Sequence, residues 1–123
     1  MEVIKGWGKE VIFADTPLYC GKFLVFITKS NKMSMHFHAI KDETWTVSTG
    51  SFRLSYINTD TAEIVQKIIY PGDVHRNLPL VPHQLEALED NSVIIEVSTK
   101  DIKNDNYSYI DIYKELKLQL QTK

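Results

Sequence analysis

Cysteine is almost absent: Cys20 is the single one in 123 residues, so no internal disulfide can form and a cysteine-based zinc knuckle is excluded. Long apolar runs are missing as well. The longest, FLVFI at Phe23 to Ile27, falls far short of the roughly 18 residues that read as a membrane span. The opening, MEVIKGWGKEVIFAD, scatters charges and holds no apolar stretch of about 7–15 residues, so no secretory leader is read there and a cytoplasmic protein is expected. Nor is there an excess of charge of one sign. Against 14 lysines and arginines stand 16 aspartates and glutamates, a net −2, which excludes a generally basic face for a phosphate backbone. Neither nucleic acid nor a membrane is expected as a partner. Without an export signal, the glycosylation triplet Asn106-Tyr107-Ser108 is read as chance. Gly/Ser linkers, internal repeats and low-complexity tracts are lacking too, so no domain boundary is expected.

What is present is one domain's worth of chain, since about 100–200 residues per domain is usual, and residues 1–123 are read as a single unit. Hydrophobic residues at 43% and charged residues at 24% are near globular averages and suffice to bury a core. Runs enriched in Val, Ile, Phe, Tyr, Thr and Trp recur over Glu10 to Ala14, Lys22 to Thr28, Ser34 to His38, Glu43 to Ser48, Ser51 to Ile57, Ala62 to Ile69, Val74 to Asn77, His83 to Ala87 and Ser92 to Ser98. Turn signals such as Thr49-Gly50, Pro71-Gly72-Asp73 and Glu89-Asp90-Asn91 separate them. The expected class is all-β, a sandwich or closed barrel. Only the end differs. Tyr113, Leu116 and Leu120 fall at helical spacing, which predicts a short C-terminal helix, although Leu116, Leu118 and Leu120 also alternate as a strand would.

The chemistry is concentrated in MSMHFHAIKDETWTVSTG, residues 33–50. His36 and His38 are one residue apart on a predicted strand, so alternation turns both imidazoles to one face. If the chain turns back over Ala39 to Asp42, the Glu43 carboxylate comes opposite them, and His83 offers a fourth group. Imidazole with carboxylate suits a divalent first-row metal and leaves positions open in an octahedral shell. Taken singly, each histidine reads as a satisfied core or surface residue. The grouping of three of the chain's four histidines with Glu43 is what points to metal. The remaining one, His75, reads as a surface or supporting residue rather than a ligand.

These residues resemble the cupins, whose first motif is His-x-His, three or four residues, Glu, six residues, Gly. Here that is His36, His38, Glu43 and Gly50. The second motif, a Pro-x-Gly-type turn and then a single histidine, is similar to Pro71-Gly72-Asp73 and His83; where the family has a glycine three residues before that histidine, this chain has Leu80. The resemblance implies a small jelly-roll β-barrel with the metal inside its mouth. A narrower resemblance, to sugar-handling cupins related to the cupin domain of type II mannose-6-phosphate isomerase, rests on Lys5-Gly6-Trp7-Gly8, KMSMHFH, KDETW and IIEVST at Ile94 to Thr99. It departs at Asp105-Asn106-Tyr107-Ser108-Tyr109, where relatives often carry Asp-Ser-Tyr-Arg; the arginine that could hold an anionic substrate is missing.

A metal with open positions can chelate the carbonyl and neighbouring hydroxyl of an open-chain sugar and stabilise the enediolate formed on proton abstraction, which calls for a base near C2. Glu96, among Ile94, Ile95 and Val97, is the candidate: inside a hydrophobic strand its pKa would be raised, while period-two counting alone also allows it to face outward. Trp45 shares the parity of Glu43 and is either a wall or stacking platform for a sugar ring or ordinary barrel packing. Lys41, in the loop between ligands, is either the group that holds a phosphate or carboxylate or a solvated loop lysine. Lys22 and Arg53 are further cations expected near the mouth, and Tyr56 and Gln84 offer hydrogen bonds, Gln84 from the face opposite to His83.

The expected function is therefore that of a metal-binding cupin acting on a sugar or sugar phosphate, most concretely an aldose–ketose isomerase. Its divalent ion would be Mn, Fe, Co, Ni or Zn, which these ligand types do not distinguish. A non-catalytic carbohydrate-binding module is the alternative from another class, because the chain is little more than one barrel with no lid segment. An Fe(II) oxygenase is the third, since three histidines and a glutamate also suit iron. A homodimer is expected, with the aromatic residues Trp7, Phe13 and Tyr19 supplying the surface.

Overall fold

Alternation of buried and exposed residues governs the architecture. A computed structural model describes residues 1–112, 114 and 118. Its strands are β1 (Glu2–Lys5), β2 (Gly8–Asp15), β3 (Tyr19–Phe26), β4 (His36–Phe37), β5 (Glu43–Thr49), β6 (Phe52–Asn58), β7 (Glu63–Ile69), β8 (Val74–Asn77), β9 (His83–Ala87), β10 (Ser92–Thr99) and β11 (Tyr107–Ser108). They form two antiparallel sheets, ordered β1-β2-β3-β10-β5-β8 and β11-β4-β9-β6-β7. This is the expected all-β jelly roll. Residues 109–112, 114 and 118 are helical, a short C-terminal helix; Tyr113, Leu116 and Leu120, whose spacing suggested it, lie outside the described residues. No described helix is long and apolar enough to cross a membrane.

On β3 the buried side chains are Cys20, Lys22, Leu24 and Phe26, and on β10 they are Ser92, Ile94, Glu96 and Ser98. Sheet register aligns these into rows. Ile94 lies beside Val47 and Leu24, whereas Glu96 lies beside Trp45 and Lys22, and Ser98 beside Glu43 and Cys20. The interior is therefore apolar at one end and polar at the other. Phe26 anchors the apolar end, stacked on Trp7 at 4.5 Å and edge-on to Phe52 at 5.0 Å. Each such side chain, fully buried, contributes about 1.5–3 kcal/mol. Trp7, one of the aromatics expected at a dimer surface, thus packs half-buried against the core. The motif glycine has a steric cause: Gly50 turns at φ 75°, and a Cβ there would meet Ser92 Oγ at 2.1 Å.

Several boundaries differ from expectation: β2 is longer at both ends than Glu10 to Ala14, and β3 runs Tyr19–Phe26 where Lys22 to Thr28 was expected. The predicted strand from Ser34 to His38 is reduced to β4, because the His38 carbonyl leaves the ladder to accept the Leu80 N–H at 2.7 Å. β1 and β11 were not expected; β1 is four residues with charges only at its two ends, and β11 is two residues long.

Candidate metal centre

The short β4 has one consequence for chemistry: it sets His36 directly opposite His83 on β9, with ring centroids 4.5 Å apart. His38, just past the strand end, brings its ring to 5.4 Å from His36 and 5.8 Å from His83. Phe37 between them turns away and stacks on Tyr107, as alternation requires. Each Nδ1 faces a main-chain carbonyl, His36 to Ser34 at 2.8 Å, His38 to Asp105 at 2.7 Å and His83 to Val81 at 2.9 Å. A carbonyl oxygen only accepts, so each Nδ1 carries the proton and each Nε2 is left with a free lone pair. One nitrogen from each of the three rings lies within 4.8 Å of the others.

Glu43, the first residue of β5, stands against this trio. Its Oε1 is 2.9 Å from His83 Nε2 and its Oε2 is 3.8 Å from His38 Nε2. The buried His83 Nε2 has no hydrogen-bond partner, because the atom it faces also presents a lone pair. A cation shared between them removes that repulsion, so the residues fit a metal ion: neutral imidazoles with a carboxylate suit Mn, Fe, Co, Ni or Zn, and the carbonyl bonds to Nδ1 fix ring orientation. Burial above all, then the neighbouring His83, holds the His36 pKa down to about 4. Burial likewise lowers His38, against the pull of Glu43. Burial would raise Glu43, but His83, whenever its Nε2 carries a proton toward the carboxylate, and the charge of Lys41 outweigh it and hold its carboxyl well below the usual range.

Behind the histidines lies a buried charge network. Lys41 Nζ reaches Glu43 at 3.3 Å, Glu96 at 3.2 Å and Asp101 at 3.0 Å, and Lys22 Nζ reaches Asp101 at 2.8 Å and Glu10 at 3.5 Å. Burial opposes the charge on Lys41, yet Glu96, Glu43 and Asp101 together raise its pKa above the ordinary value. Glu96 is pushed up by burial and then by the charge of Glu43. With all groups ionised, the carboxylates outnumber the ammonium groups beside three neutral imidazoles, an imbalance that favours a bound cation. A cavity of about 610 Å³ opens on this region, lined by His36, His38 and Lys41, by Lys5 and Glu10, and by the 101–106 segment.

Neither a family model nor a curated protein matches the sequence. Solved structures do resemble the fold. KdgF from Halomonas sp. has a TM-score of 0.68 at 21% identity, covering 78% of this chain and 81% of that one. An RmlC-like cupin from Shewanella frigidimarina has a TM-score of 0.70 at 18% identity, covering 84% and 85%. The fold is that of the RmlC-like cupins. CapF from Staphylococcus aureus, a capsular polysaccharide assembling protein, has a TM-score of 0.75 at 16% identity over 88% of this chain, and only 32% of CapF is covered, so this chain spans about a third of its length.

Inside the barrel several expected residues take other posts. Trp45 is 1% exposed and does not line the cavity; its Nε1 donates to Glu96 at 2.9 Å and its ring packs edge-on against His83. It is barrel packing, not a wall for substrate. Glu96 faces inward, is not among the residues lining the cavity, and is capped by Lys41 and Trp45. Lys41 reaches the cavity, but its ammonium is committed to three carboxylates. Lys22 points inward, whereas Arg53 pairs with Glu86 on the outside and Gln84 donates to the Met33 carbonyl. His75 stays out of the trio, its ring tilted against Tyr56 at 5.1 Å and Trp45 at 6.4 Å beside a second cavity of about 240 Å³. Sequence reasoning missed Asn77, which donates to Glu43 Oε1 at 3.2 Å, and Asp101. Asn77 shares the parity of His75 on β8, which was a usable signal.

Proposed function

We propose that this chain is a metal-dependent cupin that binds a sugar or sugar phosphate at a divalent ion held by His36, His38, His83 and Glu43, and that it interconverts aldose and ketose. The observation that carries the reading is the convergence of one nitrogen from each of three imidazoles beside a cavity whose lining carries both lysines and carboxylates. When bound, the ion supplies Lewis acidity to adjacent carbonyl and hydroxyl oxygens of the sugar. Similarity to CapF, described as a capsular polysaccharide assembling protein, supports a carbohydrate ligand.

The chain's own residues do the rest. Lys5 and Lys103 line the cavity outside the ion pairs described above and are placed to receive an anionic group, the role first expected of Lys41. Asn104 and Asn106 offer hydrogen bonds to hydroxyls. Proton abstraction needs a carboxylate that reaches the cavity. Asp101 does so but is bonded to both Lys22 and Lys41, so Glu10, 3.5 Å from Lys22, replaces Glu96 as candidate base. A second reading, binding without turnover, is favoured by the same pairing, since Glu10 and Asp101 at the cavity are neutralised by lysines and the Asp105 carboxylate is held by main-chain N–H groups.

Proton NMR in deuterated water tests the choice, with protein loaded in turn with manganese, zinc, nickel, iron and cobalt and mixed with aldoses, ketoses and their phosphates. Loss of a C2 proton signal, abolished by His36→Ala, is the expected result. Tight calorimetric binding without exchange selects the second reading, and absence of both sinks the sugar assignment.

The homodimer is also proposed, on a surface different from the one first expected. The outer face of the six-stranded sheet carries Val11, Phe23 and Ile95 in one row, and Phe13 covers Gly21 beside Val97 in the next. Phe13, Phe23 and Val97 are 51%, 37% and 53% exposed. Charges lie at its edges and are internally paired, Lys9 with Glu2 and Arg76 with Asp42. With strands about 4.8 Å apart and about 3.3 Å per residue, the face measures on the order of 600 Å², close to the roughly 800 Å² per partner of a standard interface. A face whose centre is apolar and whose edge charges are internally paired complements itself across a two-fold axis, which makes a second copy the fitting occupant.

A further inference from the structure

We infer that Asp105 is the positioning residue of the metal centre: its carboxylate straps the 101–106 segment onto the turn between His38 and Glu43, and its carbonyl thereby fixes the tautomer of His38. This rests on the centre proposed above. The strap follows β10 and is exposed at residues 101–104 and 106, yet Asp105 itself is 5% exposed. Its Oδ1 accepts the N–H of Ala39 at 2.8 Å and of Ile40 at 3.2 Å, and its Oδ2 accepts those of Ile40 at 3.2 Å and Lys41 at 2.9 Å. Successive N–H groups gathered on one anion make a nest that no neutral side chain fills as well. The turn they belong to sets the spacing between His38 and Glu43.

The carbonyl of the same residue accepts His38 Nδ1–H at 2.7 Å. His36 and His83 take their carbonyl partners from residues two positions away, Ser34 and Val81, whereas His38 depends on a segment 67 residues distant. Its ligand nitrogen is thus available only while the strap is docked. Every residue of the strap from Asp101 to Asn106 also lines the cavity. A molecule bound there that holds the strap in place strengthens metal binding, and by linkage metal strengthens its binding by the same factor.

The experiment compares Asp105→Ala and Asp105→Asn with the unaltered chain, with far-UV circular dichroism confirming the fold. Long-range nitrogen–proton NMR on metal-free, nitrogen-15-labelled protein reads each histidine tautomer, and cobalt(II) titration followed by its visible spectrum reads the centre. In Asp105→Ala, His38 should populate both tautomers while His36 and His83 keep Nδ1–H, and cobalt affinity should fall about 10–100-fold, the usual effect of losing a group that orients a ligand. Asp105→Asn, which keeps an oxygen for part of the nest, should recover most of both, and if the alanine variant does not fold, the smaller shift of the same sign in Asp105→Asn decides. An unchanged His38 tautomer in a folded variant overturns the inference. Failure of the unaltered protein to bind cobalt overturns the centre instead, and the tautomer measurement still judges Asp105.

Discussion

Leu80 donates its main-chain N–H to the carbonyl of His38 at 2.7 Å, and it holds a φ of 72° to do so. This is the place where the cupin motif carries a glycine. A left-handed conformation costs an L-residue about 1–2 kcal/mol, and here the cost is borne rather than avoided by a different turn. The chain consequently arrives at Val81 in the usual way, and its carbonyl still meets His83 Nδ1 at 2.9 Å. A missing motif glycine has left the ligand in place and stored strain beside it.

Replacing Leu80 by Gly should therefore stabilise the protein. The strain relieved, about 1–2 kcal/mol, exceeds the roughly 0.5–1 kcal/mol of extra chain entropy that glycine carries into the unfolded state, leaving a gain of about 0.5–1 kcal/mol. Little burial is lost, because the side chain is 61% exposed. Urea midpoints read the effect. Leu80→Ala keeps the Cβ and should show no gain; a glycine variant no more stable than the alanine one would mean that the φ carries no penalty.

Lys41 invites a different test, since one ammonium, 6% exposed, holds Glu43, Glu96 and Asp101 together. Lys41→Met should destabilise by about 3–5 kcal/mol, because uncompensated buried carboxylates remain. Adding Glu96→Gln removes one of them, and the double variant should regain part of the loss. Strict additivity of the two substitutions in urea unfolding would show that the pair is not coupled.

How far the site was legible follows from the range of the contacts involved. His36, His38, Glu43 and His83 could be found because strand parity and a local spacing carry them, and β8 and β9 appear with the boundaries that their turn residues suggested. Parity also left Glu96 a choice of two faces. What parity does not give is the neighbour across the sheet: Glu96 lies beside Trp45, 51 residues away, and that pairing makes one a capped carboxylate and the other a hydrogen-bond donor. Lys22 read as a cation near the mouth and Lys41 as a substrate-holding or solvated loop lysine, because nothing local to either forecasts the carboxylates that bury them. Asp105 was hidden for the same reason, its partners lying 64 to 67 residues back along the chain.

The histidines give the metal-free protein an acid-sensitive fold. Burial lowers the pKa of His36, to about 4, and lowers His38 and His75 in the same direction from 6.5. Between those values the unfolded chain binds protons that the folded one refuses, so stability should fall as pH drops from about 6.5 toward about 4. Glu96 acts with the opposite sign. Its folded pKa is raised above 4.5, chiefly by burial, so its contribution weakens as pH rises through that interval and offsets part of the histidine effect. Urea melts with chelator from pH 4.5 to 8 should therefore show a steeper acid loss in Glu96→Gln than in the unaltered chain; a shallower one would reverse the assignment for Glu96.

The outer sheet face makes the last prediction, and its logic is one of complementarity. Phe13 and Phe23 lie 5.0 Å apart on that face, and the inward positions of the same strands take the charge, Lys22 on β3 and Glu96 on β10. Polar groups thus sit inside and apolar groups outside on the central strands, the reverse of what water alone would favour. A second copy removes the conflict. Size-exclusion chromatography with light scattering should give twice the 14.2 kDa chain mass. Phe23→Lys should return it to a monomer, since a buried unpaired ammonium at the centre of an interface is strongly disfavoured. Ile64→Lys, on the other sheet where Ile64 is 63% exposed, should leave the dimer intact. A monomeric mass for the unaltered protein, or a dimer that survives Phe23→Lys, would remove this face as the interface.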